Sequence, residues 1–156
     1  MKSMKYVLFI CTGNYYRSRF AEAVFNHLAE QDNLNWRAFS RGLAIHLAPD
    51  DRLANQTRAA LCSRGIPLHH TAHDKASITE SDLRRASLCI ALKETEHRPY
   101  LCALSPEWED QIVYWHIHDV EITPADEALP EIEAKVTALV NQLTAGKQSS
   151  EISHAD

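Results

Sequence analysis

This sequence lacks any apolar run long enough to cross a bilayer, and it has no excess of positive charge. The longest apolar run, at 6–11, is far shorter than the roughly 20 residues of a membrane-spanning helix. Of the 156 residues, 16 are lysine or arginine and 21 are aspartate or glutamate, so the formal net charge is −5. Because no overall basic field attracts nucleic acid or an anionic membrane, we expect neither as a partner.

Cysteines are also scarce, and their spacing excludes two common uses. The four cysteines are Cys11, Cys62, Cys89 and Cys102. They form no C-x-x-C pair and show no zinc-like spacing. The N-terminal segment lacks the features of a signal peptide, because its apolar stretch is short and polar residues follow it without a small-residue cleavage site. We therefore expect a cytoplasmic protein with reduced thiols.

Neither an internal repeat nor a second domain is visible in the chain. Hydrophobic residues make up 45% of the sequence and charged residues 24%, which is typical of a globular protein. The length suits one domain, which we place at 1–145. The remaining segment, 146–156, is polar, and we expect it to be a frayed C-terminal tail.

Short apolar runs alternate with amphipathic stretches along the chain. Strands are expected at 6–11, 36–40, 87–92 and 112–117. Helices are expected at 18–30, 49–64, 79–83, 93–104 and 128–143. We expect Ser18 to cap the first helix, Pro49 to open the second and Pro99 to break the fourth. This order predicts an α/β fold with a doubly wound, mainly parallel sheet, which binds ligands beyond the carboxyl ends of its strands.

The segment VLFICTGNYYRSRFAEAVF (7–25) carries the clearest functional signal. It places Cys11 at the end of a buried strand and Arg17 at the start of a helix, with a short loop between them. Such a loop offers free backbone N–H groups and the positive end of a helix dipole, which together bind anions. Gly13 permits a positive φ and Asn14 tolerates one, so the loop can curl its amides inward. The Arg17 guanidinium matches two oxygens of a phosphate.

The same surroundings favour the thiolate form of Cys11. The Ser18 hydroxyl can donate a hydrogen bond to that sulfur, and a thiolate that faces a bound phosphate is a nucleophile for phosphoryl transfer. The alternative is a Cys11 that only fills the core and an Arg17 that is exposed to solvent. The strand before the loop, the helix after it and the Gly-Asn pair within it favour the phosphate site. The absence of a Walker lysine disfavours a nucleotide-binding loop.

This segment resembles the signature of the low-molecular-weight protein tyrosine phosphatases, which is approximately V-L-F-V-C-x-G-N-x-C-R-S-P-x-A-E-x-x-F. The resemblance continues at FSRGL (39–43), at SITESDLRRASLCIALKETEHRPYL (77–101), at HIHDVEI (116–122) and over the last helix. It implies a single domain with a four-stranded parallel sheet and helices on both faces. It also implies a phosphatase without a metal or organic cofactor, acting on phosphorylated proteins or small phosphomonoesters.

The resemblance further assigns roles to single residues. Cys11 is implied as the nucleophile, Arg17 as the clamp on the phosphoryl oxygens and Asp119 as the general acid. Chemistry requires such an acid, because a phenolate leaves far better when it is protonated as it departs. Glu121 and Asp126 are nearby alternatives to Asp119. The implied phosphate loop and pocket consist of Thr12, Gly13, Asn14, Tyr15, Tyr16, Arg17 and Ser18.

Several departures from the family pattern concern this pocket. Tyr16 stands where the family has a second cysteine, Arg19 where it has a proline, and Val120 where a proline follows the acid. Ile45 and His46 (45–46) stand where many members place an aromatic residue, and the tyrosines that commonly follow the acid are absent. Tyr15 can supply the missing aromatic wall.

The nine histidines raise the possibility of a metal site. HHTAH (69–73) and HIHD (116–119) contain the most closely spaced groups. His116 and His118 share a strand face if that segment is extended. No third ligand is fixed by the spacing, so we expect no metal.

Two alternative functions stay open. A thioredoxin-coupled arsenate reductase shares this fold and loop, but it needs two closely spaced cysteines after the third strand. This chain instead has Cys89 within that strand and Cys102 well beyond it. The second alternative is a non-catalytic module that binds phosphate or a phosphopeptide. The sequence leaves the oligomeric state open.

Overall fold

The most apolar stretch of the chain forms a central strand of a parallel sheet. The computed structural model describes the backbone of residues 3–155 and the side chains of residues 3–146. The strands are β1 (Lys5–Cys11), β2 (Trp36–Gly42), β3 (Leu88–Ala91) and β4 (Val113–Tyr114). All their pairings are parallel, and their order is β2-β1-β3-β4. The four-stranded parallel sheet implied by the resemblance is confirmed.

Helices cover both faces of this sheet, because successive side chains of β1 point to opposite sides. The helices are α1 (Arg17–Gln31), α2 (Asn55–Ser63), α3 (Glu80–Arg85), α4 (Glu94–Leu104) and α5 (Ala125–Ala155). Val7 and Phe9 pack into one buried cluster with side chains of α1, α2 and α5. Leu8 and Ile10 pack into a second cluster with side chains of α3 and α4. None of the described helices is long and apolar enough to span a membrane.

The second helix begins later than the sequence predicted. Pro49 does not open it, because the Asp50 carboxylate accepts a hydrogen bond from the Arg52 N–H at 2.7 Å and folds this stretch into a turn. The Ala54 N–H donates to the Tyr15 carbonyl at 3.0 Å. The segment before α2 is thus tied to the loop that follows β1.

The fourth helix and the fourth strand also differ from their predicted forms. Helix α4 runs without a break through Pro99, with the buried side chains of His97 and Leu101 packed on either side of it. Strand β4 keeps only two residues of the predicted 112–117. Beyond it the chain still follows β3, since the Ile117 N–H donates to the Leu92 carbonyl at 2.7 Å, but the regular ladder ends.

The last helix extends beyond its predicted end at residue 143, because α5 continues to Ala155. The predicted frayed tail at 146–156 falls largely on side chains outside the described residues. The domain boundary at residue 145 therefore stays a prediction.

The strand order determines where a ligand site can form. After β1 the chain moves outward to β2, and it then crosses back to place β3 on the other side of β1. In parallel sheets this reversal opens a crevice at the carboxyl ends of the two central strands. Cys11 ends β1 at this crevice, and α4 begins there shortly after β3.

Candidate active site

An open pocket of about 570 Å³ lies at the carboxyl edge of the sheet, with Cys11 among its lining residues. The loop after β1 forms one part of the lining, with Thr12, Gly13, Tyr15, Tyr16 and Arg17. Other walls come from Leu47, Ala48, Pro49, Ala54 and Gln56. The remaining wall consists of Asp119, Val120 and Glu121. The structure thus brings the three predicted catalytic residues to one pocket.

The loop owes its shape to Asn14 and to the small size of Gly13. Asn14 is fully buried and takes a positive φ of 51°, whereas Gly13 does not need one. Gly13 instead leaves room, because a Cβ there would lie 3.2 Å from the Ala48 Cβ. The Asn14 side chain donates to the Ser40 hydroxyl at 2.9 Å and accepts from the Ala76 N–H at 2.9 Å. These contacts fix the loop after β1 to strand β2 and to the segment at Ala76.

Ser18 contacts the Cys11 sulfur rather than the helix end. Helix α1 begins at Arg17 and has no side-chain cap, so the expected capping role of Ser18 is wrong. The Ser18 hydroxyl oxygen lies 2.9 Å from the Cys11 sulfur and accepts a hydrogen bond from the Asn14 amide at 3.0 Å. Because Asn14 donates to that oxygen, the serine proton is directed to the sulfur. The uncapped first turn of α1 leaves its N–H groups available to an anion.

Arg17 is buried, with 2% of its side chain exposed, and its guanidinium is held from one edge. Nη1 donates to the Ile117 carbonyl at 2.8 Å and to Glu96 Oε1 at 3.2 Å, and Nη2 donates to Glu96 Oε2 at 2.7 Å. Among the described residues, Nε has no hydrogen-bond acceptor. Burial alone would lower the pKa of Arg17, but the Glu96 hydrogen bonds and the negative charges of Cys11, Glu96 and Asp119 raise it overall. The guanidinium is therefore fixed and fully charged.

Glu96 links three groups of the pocket. Besides Arg17, its carboxylate accepts a hydrogen bond from the Thr12 hydroxyl and lies 3.1 Å from the His97 ring. His97 is fully buried, and its ring also lies 3.1 Å from the Thr12 oxygen. Burial would raise the pKa of Glu96, but the His97 and Arg17 contacts outweigh it and hold that pKa far below its ordinary value. Glu96 is therefore an anion at neutral pH and in mild acid.

Asp119 lies at the mouth of the pocket and close to Arg17. Its carboxylate oxygen Oδ2 is 3.7 Å from Arg17 Nη2, and its side chain is 41% exposed. The other oxygen accepts from the Val120 N–H at 2.8 Å. The Asp119 carbonyl accepts from the N–H groups of Ile122 and Thr123, both at 3.0 Å, so a turn holds the residue without the proline of the family pattern.

A buried hydrogen-bond network supports the loop from the β2 side. Glu22 Oε1 accepts from the hydroxyls of Ser40 and Thr71 at 2.8 and 2.7 Å, and His73 Nε2 lies 2.8 Å from it. Ser40 also accepts from the amide of Asn14. The loop that carries the cysteine is therefore connected through two layers of side chains to α1 and to the segment at 71–73.

Arg19 joins this network at the position where the family pattern has proline. It is 3% exposed, and its guanidinium donates to the Thr71 hydroxyl and the Thr71 carbonyl, both at 2.7 Å. It also reaches the Asn14 carbonyl at 3.4 Å. Burial lowers the pKa of Arg19, and the nearby Glu22 carboxylate opposes that effect. Arg19 thus acts as a support of the loop rather than as a substrate contact.

Two tyrosines complete the loop. Tyr15 is half-buried and lines the pocket, as Leu47 and Pro49 do, and its role as the aromatic wall for a substrate stays a prediction. Tyr16 is buried, and its hydroxyl has no hydrogen-bond partner among the described residues. Burial and the charge of Asp119 raise the pKa of Tyr16 to about 12.

Sequence reasoning missed Glu96 and the network around Glu22. A signal for Glu96 was present, because a helix that follows β3 must begin at the same crevice as the loop after β1. An acid in the first turn of that helix can therefore reach Arg17. Glu22, Ser40 and His73 gave no comparable local signal.

A loop that presents a thiol, a fixed arginine and a helix N-terminus around one pocket defines the class of proteins with a cysteine-to-arginine phosphate loop. The family model described as low molecular weight phosphotyrosine protein phosphatase matches residues 6–149. The chain belongs to this family, as its resemblance implied.

Individual relatives agree with this assignment. The protein-arginine-phosphatase of Bacillus subtilis is 28% identical over 106 residues, which cover 68% of this chain and 67% of that protein. The low molecular weight phosphotyrosine protein phosphatase of Pongo abelii is 35% identical over 102 residues, which cover 62% of this chain and 60% of that protein. The aligned stretches thus span about three fifths to two thirds of these relatives.

A solved structure covers more of the fold. The low molecular weight protein tyrosine phosphatase from T. tengcongensis superposes with a TM-score of 0.72 at 26% identity. The superposition covers 91% of this chain and 99% of that chain.

Proposed function

We propose that this protein is a cysteine-dependent phosphatase that hydrolyses phosphomonoesters on protein side chains, with phosphotyrosine as its substrate class. The observation that carries this proposal is the pocket in which the Cys11 sulfur, the Arg17 guanidinium and the Asp119 carboxylate meet. Family membership and the phosphatase names of the relatives support it.

In the first step the loop N–H groups and the free edge of Arg17 hold the phosphoryl oxygens. The Cys11 thiolate attacks phosphorus, so that an S–P bond forms while the P–O bond to the substrate breaks. Protonated Asp119 gives its proton to the departing phenolate oxygen. Arg17 suits the transition state, because Glu96 already fixes the guanidinium and little reorganisation is needed as charge develops.

The second step hydrolyses the cysteinyl-phosphate. The Asp119 carboxylate takes a proton from a water molecule, whose oxygen attacks phosphorus as the S–P bond breaks. The products are inorganic phosphate and the Cys11 thiolate, which the Ser18 hydroxyl stabilises from 2.9 Å. Asp119 ends the cycle protonated, as it began.

The pocket walls favour an aromatic substrate, but one observation favours a second candidate. Tyr15, Leu47 and Pro49 form an apolar wall that suits a phenyl ring. Asp119 and Glu121 together place two carboxylates at the mouth, which would suit the guanidinium of phosphoarginine. A relative with a protein-arginine-phosphatase name makes this the second candidate.

The arsenate reductase alternative has no support in the pocket. Cys11 is the one cysteine among the residues that line it, while Cys89 is buried in β3 and Cys62 and Cys102 are exposed elsewhere. A relay of thiols needs Cα atoms within about 7 Å of one another.

The decisive experiment compares phosphate release from two peptides of one sequence that carry either phosphotyrosine or phosphoarginine. We expect hydrolysis of both the phosphotyrosine peptide and p-nitrophenyl phosphate, and no thioredoxin-dependent reduction of arsenate. Cys11→Ser should abolish turnover and still bind phosphate in a calorimetric titration, because the amides and Arg17 remain.

Each other outcome contradicts a different part of the proposal. Faster hydrolysis of the phosphoarginine peptide would show that phosphoarginine, rather than phosphotyrosine, is the substrate class. Phosphate binding without hydrolysis of any ester would make the protein a binding module. Full turnover by the Cys11→Ser variant would exclude the cysteinyl-phosphate.

A further inference from the structure

A second group of donor side chains lies outside the phosphate pocket, where α1 meets the 3₁₀ turn at Leu68–Thr71. Its members are Glu30, His69 and His70. Glu30 lies in the last turn of α1, roughly 20 Å along the helix from Arg17 at 1.5 Å per residue. None of the three lines the pocket.

The three side chains bring their donor atoms together. One ligand atom from each lies within 4.8 Å of the other two. The rings of His69 and His70 are 4.1 Å apart between centroids, and His70 Nε2 is 3.8 Å from the Glu30 carboxylate. The sequence offered two adjacent histidines without a third ligand, and the fold supplies that ligand from α1.

His70 provides an independent indication of a ligand. Only 7% of its side chain is exposed, yet within the described residues its ring nitrogens make no hydrogen bond. Its contact with Glu30, at 3.8 Å, is too long for one. An imidazole nitrogen that makes no hydrogen bond within the protein can offer its lone pair to a metal ion.

We propose that Glu30, His69 and His70 form a site for a divalent transition-metal ion, with zinc as the ion that suits it best. Two imidazole nitrogens and one carboxylate oxygen are a zinc ligand set, whereas calcium and magnesium prefer oxygen donors alone. Tetrahedral zinc ligands are about 3.3 Å apart, so the donors must close by about 1.5 Å or less. Glu30 and His69 are exposed and free to make that change. Water completes the coordination.

The site would connect two segments that already support the phosphate loop. The His70 carbonyl also accepts a hydrogen bond from the side-chain amide of Asn26, in α1, at 3.1 Å. The next residue, Thr71, holds Glu22 and Arg19 behind that loop. A bound ion therefore fastens the turn at Leu68–Thr71 to α1, and it stabilises the folded state without touching the reacting atoms.

The test is a titration of zinc into chelator-treated protein, followed by calorimetry and thermal unfolding. We expect one ion per chain and a melting temperature that rises by roughly 5–10 °C at a hundredfold excess over Kd. His69→Ala and Glu30→Gln should each weaken binding by at least about tenfold, because each removes one of three ligands. His116→Ala removes an exposed histidine outside the cluster and serves as the matched control.

Thiols are competing ligands, so the same titration is made with Cys11→Ser and with cobalt in place of zinc. Unchanged binding by Cys11→Ser, and a cobalt spectrum without a sulfur charge-transfer band, support the histidine site. Binding that is lost in Cys11→Ser but kept in His69→Ala and Glu30→Gln would overturn the proposal. The absence of any binding at micromolar zinc would overturn it as well.

Discussion

The two sides of the phosphate loop are built differently. On the β2 side, Ser40, Thr71 and His73 converge on the buried carboxylate of Glu22, and the loop is held by hydrogen bonds between side chains. On the β3 side, the charges of Glu96 and Asp119 face Arg17 at the edge of an open pocket. Both sides hold the same loop, but only the β3 side places carboxylates against the Arg17 guanidinium.

This difference predicts that the two sides contribute differently to stability and to rate. The β2 side contacts Asn14 and Ser18, which set the loop conformation and direct a proton to the Cys11 sulfur. Changes there should mainly alter stability. The β3 side fixes Arg17 and presents Asp119, which act on the substrate in the proposed mechanism, so changes there should mainly alter rate.

The largest effect is expected from Asp119→Asn on the β3 side. General acid catalysis contributes roughly 10²–10⁴-fold, and the loss should approach the upper end for phenyl phosphates with poor leaving groups. It should be small for p-nitrophenyl phosphate, whose leaving group hardly needs a proton. Steady-state kinetics over a series of phenyl esters measures this. Equal rates for the variant and the wild type across the series would indicate that Glu121 or Asp126 is the general acid instead.

Arg17→Lys should lower kcat/KM by a factor on the order of 10³. A lysine keeps the charge but cannot contact Glu96 with one edge and a phosphate with the other. The measurement is kcat/KM for p-nitrophenyl phosphate, together with the affinity for inorganic phosphate. A near-normal kcat/KM would contradict the role of Arg17 as the clamp on the phosphoryl oxygens.

Glu96→Gln should lower kcat/KM by roughly tenfold, since the guanidinium keeps only one of its two hydrogen bonds to residue 96 and loses its paired anion. Glu94→Gln is the matched control, because Glu94 lies in the same helical turn and pairs with Arg98. If Glu96 positions Arg17, Glu96→Asp should restore part of the activity. A loss of the same size in Glu94→Gln would show a general effect on α4 instead.

The pH dependence sharpens this test. The pKa of Glu96 is held well below its unfolded value, so the stability that Glu96 contributes is present above that unfolded value. It is lost only as the pH falls through the folded value, in strong acid. The kinetic defect of Glu96→Gln should therefore be constant from pH 5 to pH 8. A defect that grows or fades within this range would exclude Glu96 as a permanently charged partner.

Site residues that lie close together in the chain could be predicted from the sequence. Contacts that depend on the order of the strands could not. Cys11, Asn14, Arg17 and Ser18 lie within one short segment, and the strand, loop and helix around them follow from neighbouring residues. Glu96 is 79 positions from Arg17, and their contact exists only because β3 lies beside β1. The parallel sheet was predictable, since alternating strands and helices impose it. The short β4 was not, because that strand ends where the chain turns toward the site.

The smallest effect on rate is expected from Glu22→Gln on the β2 side. The amide keeps the shape of the carboxylate but places an NH₂ group among hydroxyls that donate to it. An unmatched buried polar group costs about 1–3 kcal/mol, so the melting temperature should fall by several degrees. At 25 °C kcat/KM should fall only a few-fold, because Arg17 and Asp119 are untouched. Glu133→Gln, which alters a partly exposed ion pair with Arg64, is the control and should cost at most about 1 kcal/mol. A hundredfold loss of kcat in Glu22→Gln at an unchanged melting temperature would contradict the prediction that the β2 side mainly affects stability, because the buried network would then affect the rate directly.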